Sequence, residues 1–164
     1  MTLGLGYPYT MIPGEAFKWG EGGTVGWGSQ CGTITGGAAA IGLVYGATEI
    51  TTKLVNNLNK WYADEYGNGT NLCHVSVGNW GSTNGMKLDT PEMGERCAKL
   101  TGTVSRKVAE LINSEMDGKL EEVTVNAMPP ANEGCLSCHG KGQRQDSRAI
   151  PSNCNTCHPN QHQS

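Results

Sequence analysis

Two copies of one short motif lie near the C-terminal end of the sequence and carry its clearest chemistry. Residues 135–139 read Cys-Leu-Ser-Cys-His, and residues 154–158 read Cys-Asn-Thr-Cys-His. The C-x-x-C-H pattern is typical of covalent attachment of c-type haem, in which two thiols bind the ring edge and the histidine binds the iron. The sequence therefore predicts two c-type haems. The expected attachment residues are Cys135, Cys138, Cys154 and Cys157, and the expected iron ligands are His139 and His158.

A structural zinc site is the alternative interpretation of the same four cysteines. Their C-x2-C-x15-C-x2-C spacing suits four thiolates around one zinc ion. Four thiolates complete such a site without histidine. The chain has only four His, however, and one of them directly follows each cysteine pair. Haem is therefore the preferred interpretation, and a zinc-stapled interaction module is its rival.

The other two histidines, His74 and His162, match the number of axial iron positions that the motifs leave open. We therefore expect bis-His ligation, which gives a lower reduction potential than His/Met ligation. His162 follows His158 too closely to reach the same iron easily, so it is expected to bind the other haem or a haem of a second subunit. Methionine ligation is the alternative. The methionines considered for it are Met11, Met86, Met93, Met116 and Met128.

Three further cysteines, Cys31, Cys73 and Cys97, lie outside the haem motifs. The total of seven is odd, so these three cannot all pair with one another. One interpretation is a single disulfide with one free thiol, or three inert thiols. The functional alternative is a metal or iron–sulfur site, since thiolates from separate segments commonly hold such clusters.

Composition limits the classes of function. The formal net charge of the 164 residues is -3, which argues against a nucleic-acid partner. No apolar run reaches the length of a membrane span, and the most apolar stretch, residues 34–45, is short and rich in glycine. The N-terminus lacks the pattern of a signal peptide. Because c-type haem is normally attached after export, we expect a periplasmic or otherwise exported protein, with the sequence given in a mature or re-numbered form.

The elements that must position these residues are mainly helical. Residues 32–45 predict a helix that Ser29 caps and Gly46 ends. It is apolar or small on all sides, as expected for the middle of a bundle, and its internal glycines would allow another backbone or a flat ring to approach closely. Further helices are predicted over residues 48–66 and 90–117 from their caps and apolar periodicity.

The remaining segments are predicted to be irregular. Residues 70–88 are expected to be mostly loop, with a short extended piece at 74–77. The first thirty residues form a Gly/aromatic-rich arm that lies over the core or a partner. The fold class is thus mainly α: a small three-helix unit with its arm forms a helical domain at 1–128, and a loop-rich di-haem segment follows at 129–164. That segment has almost no apolar side chains, so covalent haems would supply its apolar surface.

The sequence also resembles a known family. Residues 31–38, Cys-Gly-Thr-Ile-Thr-Gly-Gly-Ala, followed by residues 41–46, Ile-Gly-Leu-Val-Tyr-Gly, are similar to the signature of redox-active proteins named for their C-GCAxxG-C-C pattern. With Cys73-His74 and the two haem motifs, the chain resembles the split-Soret cytochrome c branch of that family. The resemblance implies a homodimeric di-haem protein whose haems gather near the interface. It also implies that His74 is a distal haem ligand and that Cys31, Cys73 and Cys97 are the candidate ligands of an iron–sulfur cluster.

An electron-transfer cytochrome with closely spaced haems and redox partner proteins is the first hypothesis for function. Bis-His irons have no open position, so the protein is expected to transfer electrons rather than act as an enzyme. A haem-based reductase of a small inorganic substrate is the alternative if one iron is five-coordinate. A haem relay subunit in a larger assembly is a further alternative.

Overall fold

Four α-helices form the part of the chain that the computed structural model describes, residues 6–7 and 9–121. They are α1 (Gly32–Tyr45), α2 (Glu49–Glu65), α3 (Cys73–Asn84) and α4 (Pro91–Met116), preceded by two short 3-10 helices, Tyr9–Met11 and Gly14–Gly20. Within these ranges no strand forms, and an antiparallel bridge joins Gln30 to Leu72. The mainly α fold class predicted from the sequence is confirmed. None of the described helices is both long and apolar enough to cross a bilayer.

The chain divides into two units after Val123, and the second unit lies outside the described residues. The two haem motifs, His162 and the predicted boundary between residues 128 and 129 all fall there. They remain predictions. The first unit is described below by itself.

The core lies where α1 packs against both α2 and α4. α1 therefore takes the central place that its apolar sequence predicts. Gly37 makes this packing close, because a Cβ added there would lie 2.9 Å from Leu58 Cδ2 and 3.1 Å from Val108 Cγ2. The buried core side chains are Cys31, Ile34, Ile41, Leu54, Leu58, Tyr62, Leu100, Val104, Val108, Leu111 and Ile112.

The helix ends follow the capping signals with one exception. The Thr48 hydroxyl accepts a hydrogen bond from the Thr51 N–H at 3.3 Å, and the Thr90 hydroxyl accepts one from the Met93 N–H at 3.4 Å. Gly46 ends α1 with a φ of 65°. The prediction that Ser29 caps α1 is wrong. The residue before α1 is Cys31, and its side chain makes no capping hydrogen bond. The Ser29 hydroxyl instead donates to the Gly23 carbonyl at 2.8 Å, inside the arm.

The structure also corrects the prediction of a short extended piece at residues 74–77, which lie in α3. The glycines of this segment lower its intrinsic helix propensity, and for that reason the sequence favoured a loop. In the structure, the Cys73 and His74 N–H groups donate to the carbonyls of Ser29 and Gly28 at 2.7 and 3.2 Å. Bonds from outside the helix thus satisfy its first turn and override propensity. The unit has four helices rather than three.

The N-terminal arm is irregular, as predicted, and part of it lies against the helices. The second 3-10 helix contacts α1, where an added Cβ on Gly32 would clash with the backbone of Gly20. Aromatic side chains of the arm stay exposed: Tyr7 by 82%, Trp19 by 47% and Trp27 by 87%.

Candidate metal centre

Cys31 and Cys73 stand at the N-terminal ends of α1 and α3, and a short antiparallel contact brings them together. The Cys31 N–H donates to the Asn71 carbonyl at 2.9 Å, and the Cys73 N–H donates to the Ser29 carbonyl at 2.7 Å. With the bridge between them, these bonds pair the segment before α1 with the segment before α3. As a result, the two cysteine side chains interact with each other as donor and acceptor.

This pairing changes the protonation of both thiols. The neighbouring Cys73 thiol lowers the pKa of Cys31 to about 5. Burial opposes this shift, and the Thr33 hydroxyl, 3.3 Å from the Cys31 sulfur, assists it. The Cys31 sulfur and burial raise the pKa of Cys73. The pair therefore holds one proton and one negative charge at neutral pH. A thiolate is the form of cysteine that binds metals.

Cys97, on α4, is the third member of this group. It interacts electrostatically with Cys73, and the Arg96 Nη1 donates to its Sγ at 3.8 Å. The Arg96 Nη2 donates to the Ser76 hydroxyl at 2.5 Å, so the guanidinium links α4 to α3. All three cysteines are free thiols, which contradicts the alternative of a disulfide among them.

The donor chemistry of these residues fits a thiolate-held iron. Two sulfurs interact directly, one of them carries a negative charge, and an arginine lies beside the third. In the described part of the chain, however, no three His, Cys, Asp or Glu residues lie close enough together to hold a metal ion.

His74 follows Cys73, and the arm fixes the orientation of its ring. The imidazole Nδ1 lies 2.8 Å from the Gly28 carbonyl oxygen. A carbonyl can only accept a hydrogen bond, so Nδ1 carries the hydrogen, and in the neutral imidazole Nε2 then keeps its lone pair. This arrangement is typical of histidines that bind metals. The His74 side chain is exposed, so Nε2 is accessible to an iron from outside the helical unit.

Two arm glycines hold these side chains in place. Gly23 and Gly28 have φ angles of +70° and +69°, in the region that favours glycine. A Cβ added at Gly23 would lie 2.6 Å from the Cys73 Cβ, and one at Gly28 would lie 2.9 Å from the His74 Cβ. The sequence analysis treated the arm as a cover and did not connect its glycines with this site. Their density directly before the first cysteine was the available signal.

Tyr62 lies on the core-facing side of α2 and is fully buried. The structure adds that its hydroxyl faces the site, where it interacts with Cys31 and Ser76 without reaching hydrogen-bond geometry with any group in the described residues. Burial and the Cys31 sulfur raise the pKa of the Tyr62 hydroxyl, which stays protonated. Tyr62, Ser76 and Arg96 are thus site residues that the sequence analysis missed. The position of Arg96 directly before Cys97 was the sequence signal for the third of them.

The methionines considered as alternative haem ligands do not join this group. Met11, Met86 and Met116 are exposed, at 71%, 45% and 76%. Met93 is partly buried in the first turn of α4, and Met128 lies outside the described residues.

Comparison with known proteins identifies the family of this chain. The model of the C_GCAxxG_C_C family, a family of redox-active proteins, matches residues 6–111. The chain belongs to this family. The matched region contains the arm, α1 to α3 and most of α4, and hence every residue of the candidate metal centre.

One relative of this C_GCAxxG_C_C protein is split-Soret cytochrome c from Desulfovibrio desulfuricans (strain ATCC 27774). It is 28% identical over 174 aligned residues, which cover 93% of this chain and 62% of the relative. The chain thus spans about three fifths of the length of that curated relative.

A solved structure of split-Soret cytochrome c from the same strain, described as containing a novel iron centre, has a similar fold. The TM-score is 0.78 at 29% sequence identity, with 96% of this chain and 74% of that chain covered. The fold and the family therefore agree in placing this chain among redox proteins.

Proposed function

We propose that this protein is a di-haem electron-transfer cytochrome of the C_GCAxxG_C_C family. The observation that carries the proposal is the state of His74, whose exposed ring has Nδ1 committed to a carbonyl and Nε2 free. Histidines that bind metals are commonly oriented in this way, with the second ring nitrogen bonded to a carbonyl. The similarity to a cytochrome supports the same conclusion.

The haems would be attached to the two motifs of the C-terminal segment. Cys135, Cys138, Cys154 and Cys157 would hold the rings, with His139 and His158 on one face of each iron. His74 would bind the second face of one iron, and His162 that of the other, in its own subunit or in a partner. A c-type haem supplies reversible one-electron transfer when bound. With both faces of each iron occupied, substrate has no place to bind.

Cys31, Cys73 and Cys97 would hold a second redox centre, an iron–sulfur cluster or another thiolate-held iron. The negative charge on the Cys31–Cys73 pair supports this, and so does the iron centre described for the relative. Arg96 would offset part of the negative charge that such a centre gathers. Because Cys73 and His74 are adjacent, one peptide unit would connect this centre to a haem ligand.

We further propose that the protein is exported and forms a homodimer that exchanges electrons with other redox proteins. Attachment of c-type haem after export supports the first point. The exposed aromatic rings of the arm, on Tyr7, Trp19 and Trp27, support the second, since a second copy would cover them. Their position in the arm places this surface on the same segment that positions His74.

Haem quantitation tests the proposed function. The full chain, produced with haem-attachment machinery, is denatured in alkaline pyridine and its haemochrome absorbance is compared with protein concentration. Two c-type haems per chain are expected. A colourless protein that contains zinc would overturn the proposal and favour the interaction module. Two haems of which one binds cyanide as isolated would favour the reductase.

A further inference from the structure

The helix that carries His74, α3, is attached to the helical unit largely through polar contacts. Its apolar side chains are only partly buried, and none of them belongs to the apolar core of the described residues. The buried residues of α3 are Ser76 and Gly81, which bring no apolar side chain to the core. Most helices in proteins owe their stability to the packing of an apolar face. Another kind of contact must therefore hold α3 in its place.

A relay of hydrogen bonds, formed by Arg96, Ser76 and the Tyr66 carbonyl, supplies that contact. The Arg96 Nη2, on α4, donates to the Ser76 hydroxyl oxygen at 2.5 Å. The Ser76 hydroxyl donates its own hydrogen to the Tyr66 carbonyl, at the C-terminal end of α2, at 2.9 Å. The Arg96 Nη2 also lies 3.5 Å from the Ser76 carbonyl oxygen. The relay therefore connects α3 with both α4 and α2.

The hydroxyl of Ser76 is directed away from its own helix. Serine inside a helix often donates back to a carbonyl of the preceding turn, as Ser105 of α4 does to the Thr101 carbonyl at 2.9 Å. Ser76 bonds instead to two other helices, and one of its partners is a charged guanidinium, which makes a stronger hydrogen bond than a neutral donor. Ser76 is only 1% exposed, so water cannot replace a partner that is lost. The relay is thus an anchor between helices.

We propose that Ser76 and Arg96 are positioning residues for a haem iron, because their relay holds α3 in place and α3 presents His74 to that iron. His74 lies two residues before Ser76 in the same helix, and its side chain is exposed. The inference rests on the proposed function, since it requires a haem that His74 binds. Neither Ser76 nor Arg96 touches the iron; both act through the position of α3.

Loss of the relay should loosen α3 and leave the core folded. The core side chains belong to the start of α1 and to α1, α2 and α4, and their packing does not include the relay. A loosened α3 keeps His74 away from the iron for a larger fraction of the time. A competing ligand binds only the iron that His74 has left, so its apparent affinity rises in proportion to that fraction.

Hydrogen–deuterium exchange of the full, haem-loaded chain, followed by mass spectrometry, tests the anchor. Ser76→Ala removes the hydroxyl, although alanine itself favours a helix more than serine does. The amides of α3 should exchange about tenfold to hundredfold faster than in the wild type, because a hydrogen bond to a charged group is lost. The amides of α1, α2 and α4 should keep their rates. Ser105→Ala is the matched control, since the Ser105 hydroxyl bonds within α4.

A second variant removes the other side of the relay. Arg96→Gln deletes the charged donor, leaves Ser76 in place and should also accelerate exchange in α3. Arg106→Gln is its control, because Arg106 lies on the same helix, is 73% exposed in its side chain and pairs with Glu110 at 3.8 Å. If Ser76→Ala and Arg96→Gln both unfold α1, α2 and α4 together with α3, the relay supports the whole core and the inference is overturned.

Carbon monoxide titration of the reduced protein tests the connection with the iron. Ser76→Ala and Arg96→Gln should bind carbon monoxide at one haem with an apparent affinity about tenfold to hundredfold higher than their controls do. Faster exchange in α3 without a change in this affinity would mean that the relay is structural only, and it would overturn the positioning role.

The two measurements separate this inference from the proposed function. A wild-type chain that attaches no haem overturns the proposed function and the positioning role with it. Equal exchange of α3 in Ser76→Ala and Ser105→Ala, in a chain that does attach haem, overturns the inference alone. Faster exchange together with tighter carbon monoxide binding, with both controls unchanged, supports both.

Discussion

Cys31 and Cys73 show how two chemically identical side chains acquire different properties from their surroundings. Each stands at the start of a helix, yet the pKa of one is lowered to about 5 and that of the other is raised, because they share a proton. This follows from the general rule that two coupled groups titrate as a pair. The pair is thus prepared to offer a metal one thiolate before the metal arrives.

The stability of protein freed of its non-haem iron should depend on pH through this pair. The folded-state pKa of Cys31 lies near 5 and its ordinary value is 9.0, so between these values the folded state binds fewer protons than the unfolded state. The free energy of unfolding should then rise with pH from about 5 to about 9. Above pH 9 the raised pKa of Cys73 acts in the opposite sense, since only the unfolded thiol ionises.

Urea unfolding midpoints at several pH values between 5 and 10 measure this dependence. In Cys31→Ser the rise between pH 5 and 9 should be lost, because serine does not ionise in this range. A wild-type midpoint that stays constant over the whole range, or a rise that persists unchanged in Cys31→Ser, would show that the thiols do not share a proton.

At the residue scale, the sequence predicts chemistry that lies within one short segment, but it does not predict contacts between residues that are far apart in the chain. Haem attachment could be predicted from the sequence because each C-x-x-C-H motif lies within five consecutive residues. His74 was predicted as a haem ligand by counting and by family resemblance, and the orientation of its ring depends on a carbonyl 46 positions earlier in the chain. The role of Ser76 could not be predicted, since the sequence favoured a short extended piece at its position.

At the scale of elements, the arm is more than a cover for the helices. Its residues from Gly20 to Ser29 supply the carbonyls that start α3 and the glycines against which Cys73 and His74 rest. A segment with no regular structure of its own thus sets the geometry of both candidate ligands. This explains why a stretch so rich in glycine precedes the first cysteine.

Alanine substitutions at two arm glycines test this role. Gly28 and Gly26 have φ angles of +69° and +83°, so alanine should cost about 1–2 kcal/mol of backbone strain at either position. Only at Gly28 would the new Cβ contact His74, whereas nothing lies within 4 Å of one at Gly26. Gly28→Ala should therefore weaken iron ligation by His74, and Gly26→Ala should not. Equal fractions of low-spin haem in the two variants would contradict this account.

Two neighbouring glycines of α1 provide a comparable test of core packing. Gly36→Ala should raise stability by up to about 1 kcal/mol, because its Cβ meets nothing and alanine favours the helix. Gly37→Ala gains the same propensity but contacts Leu58 and Val108 at 2.9 and 3.1 Å, and overpacking costs about 1–3 kcal/mol. Thermal or urea unfolding should rank Gly36→Ala above Gly37→Ala. The reverse order would mean that α1 is not packed closely against α2 and α4.

The four helices also differ in whether the sequence alone predicts them. α1, α2 and α4 could be predicted because their caps and apolar periodicity lie within the segments. α3 could not, because its first turn depends on bonds to the arm and its glycines favour a loop. Local signals therefore predicted three helices of four, and the one that they missed carries both Cys73 and His74.

At the scale of the whole molecule, the chain combines a helical unit that has its own core with a C-terminal segment that carries the haem motifs. The helical unit offers His74 and three thiols, and the segment carries the two C-x-x-C-H motifs to which we propose that haems attach. Neither part holds a complete set of ligands for two bis-His haems. The function that we propose therefore belongs to the combination and not to either part.

The proposed homodimer can be measured directly. Sedimentation equilibrium of the haem-loaded chain should give twice the mass of one chain with its haems. Replacing Trp27, an aromatic residue of the arm that is 87% exposed, by Ser should weaken the dimer, because the buried ring would contribute apolar area to the interface. A monomer at micromolar concentration would contradict the homodimer, and a much larger particle would favour the relay assembly.

The binding of carbon monoxide to the reduced protein tests most directly the central claim that His74 of the helical unit completes a haem of the C-terminal segment. The wild-type chain should bind no carbon monoxide, because both irons have two histidine ligands. His74→Ala should bind one molecule per chain, at one of its two haems. His74→Met, which restores a ligand, should bind little and should show a higher potential at that haem. Carbon monoxide binding by the wild type, or no additional binding by His74→Ala, would contradict the account.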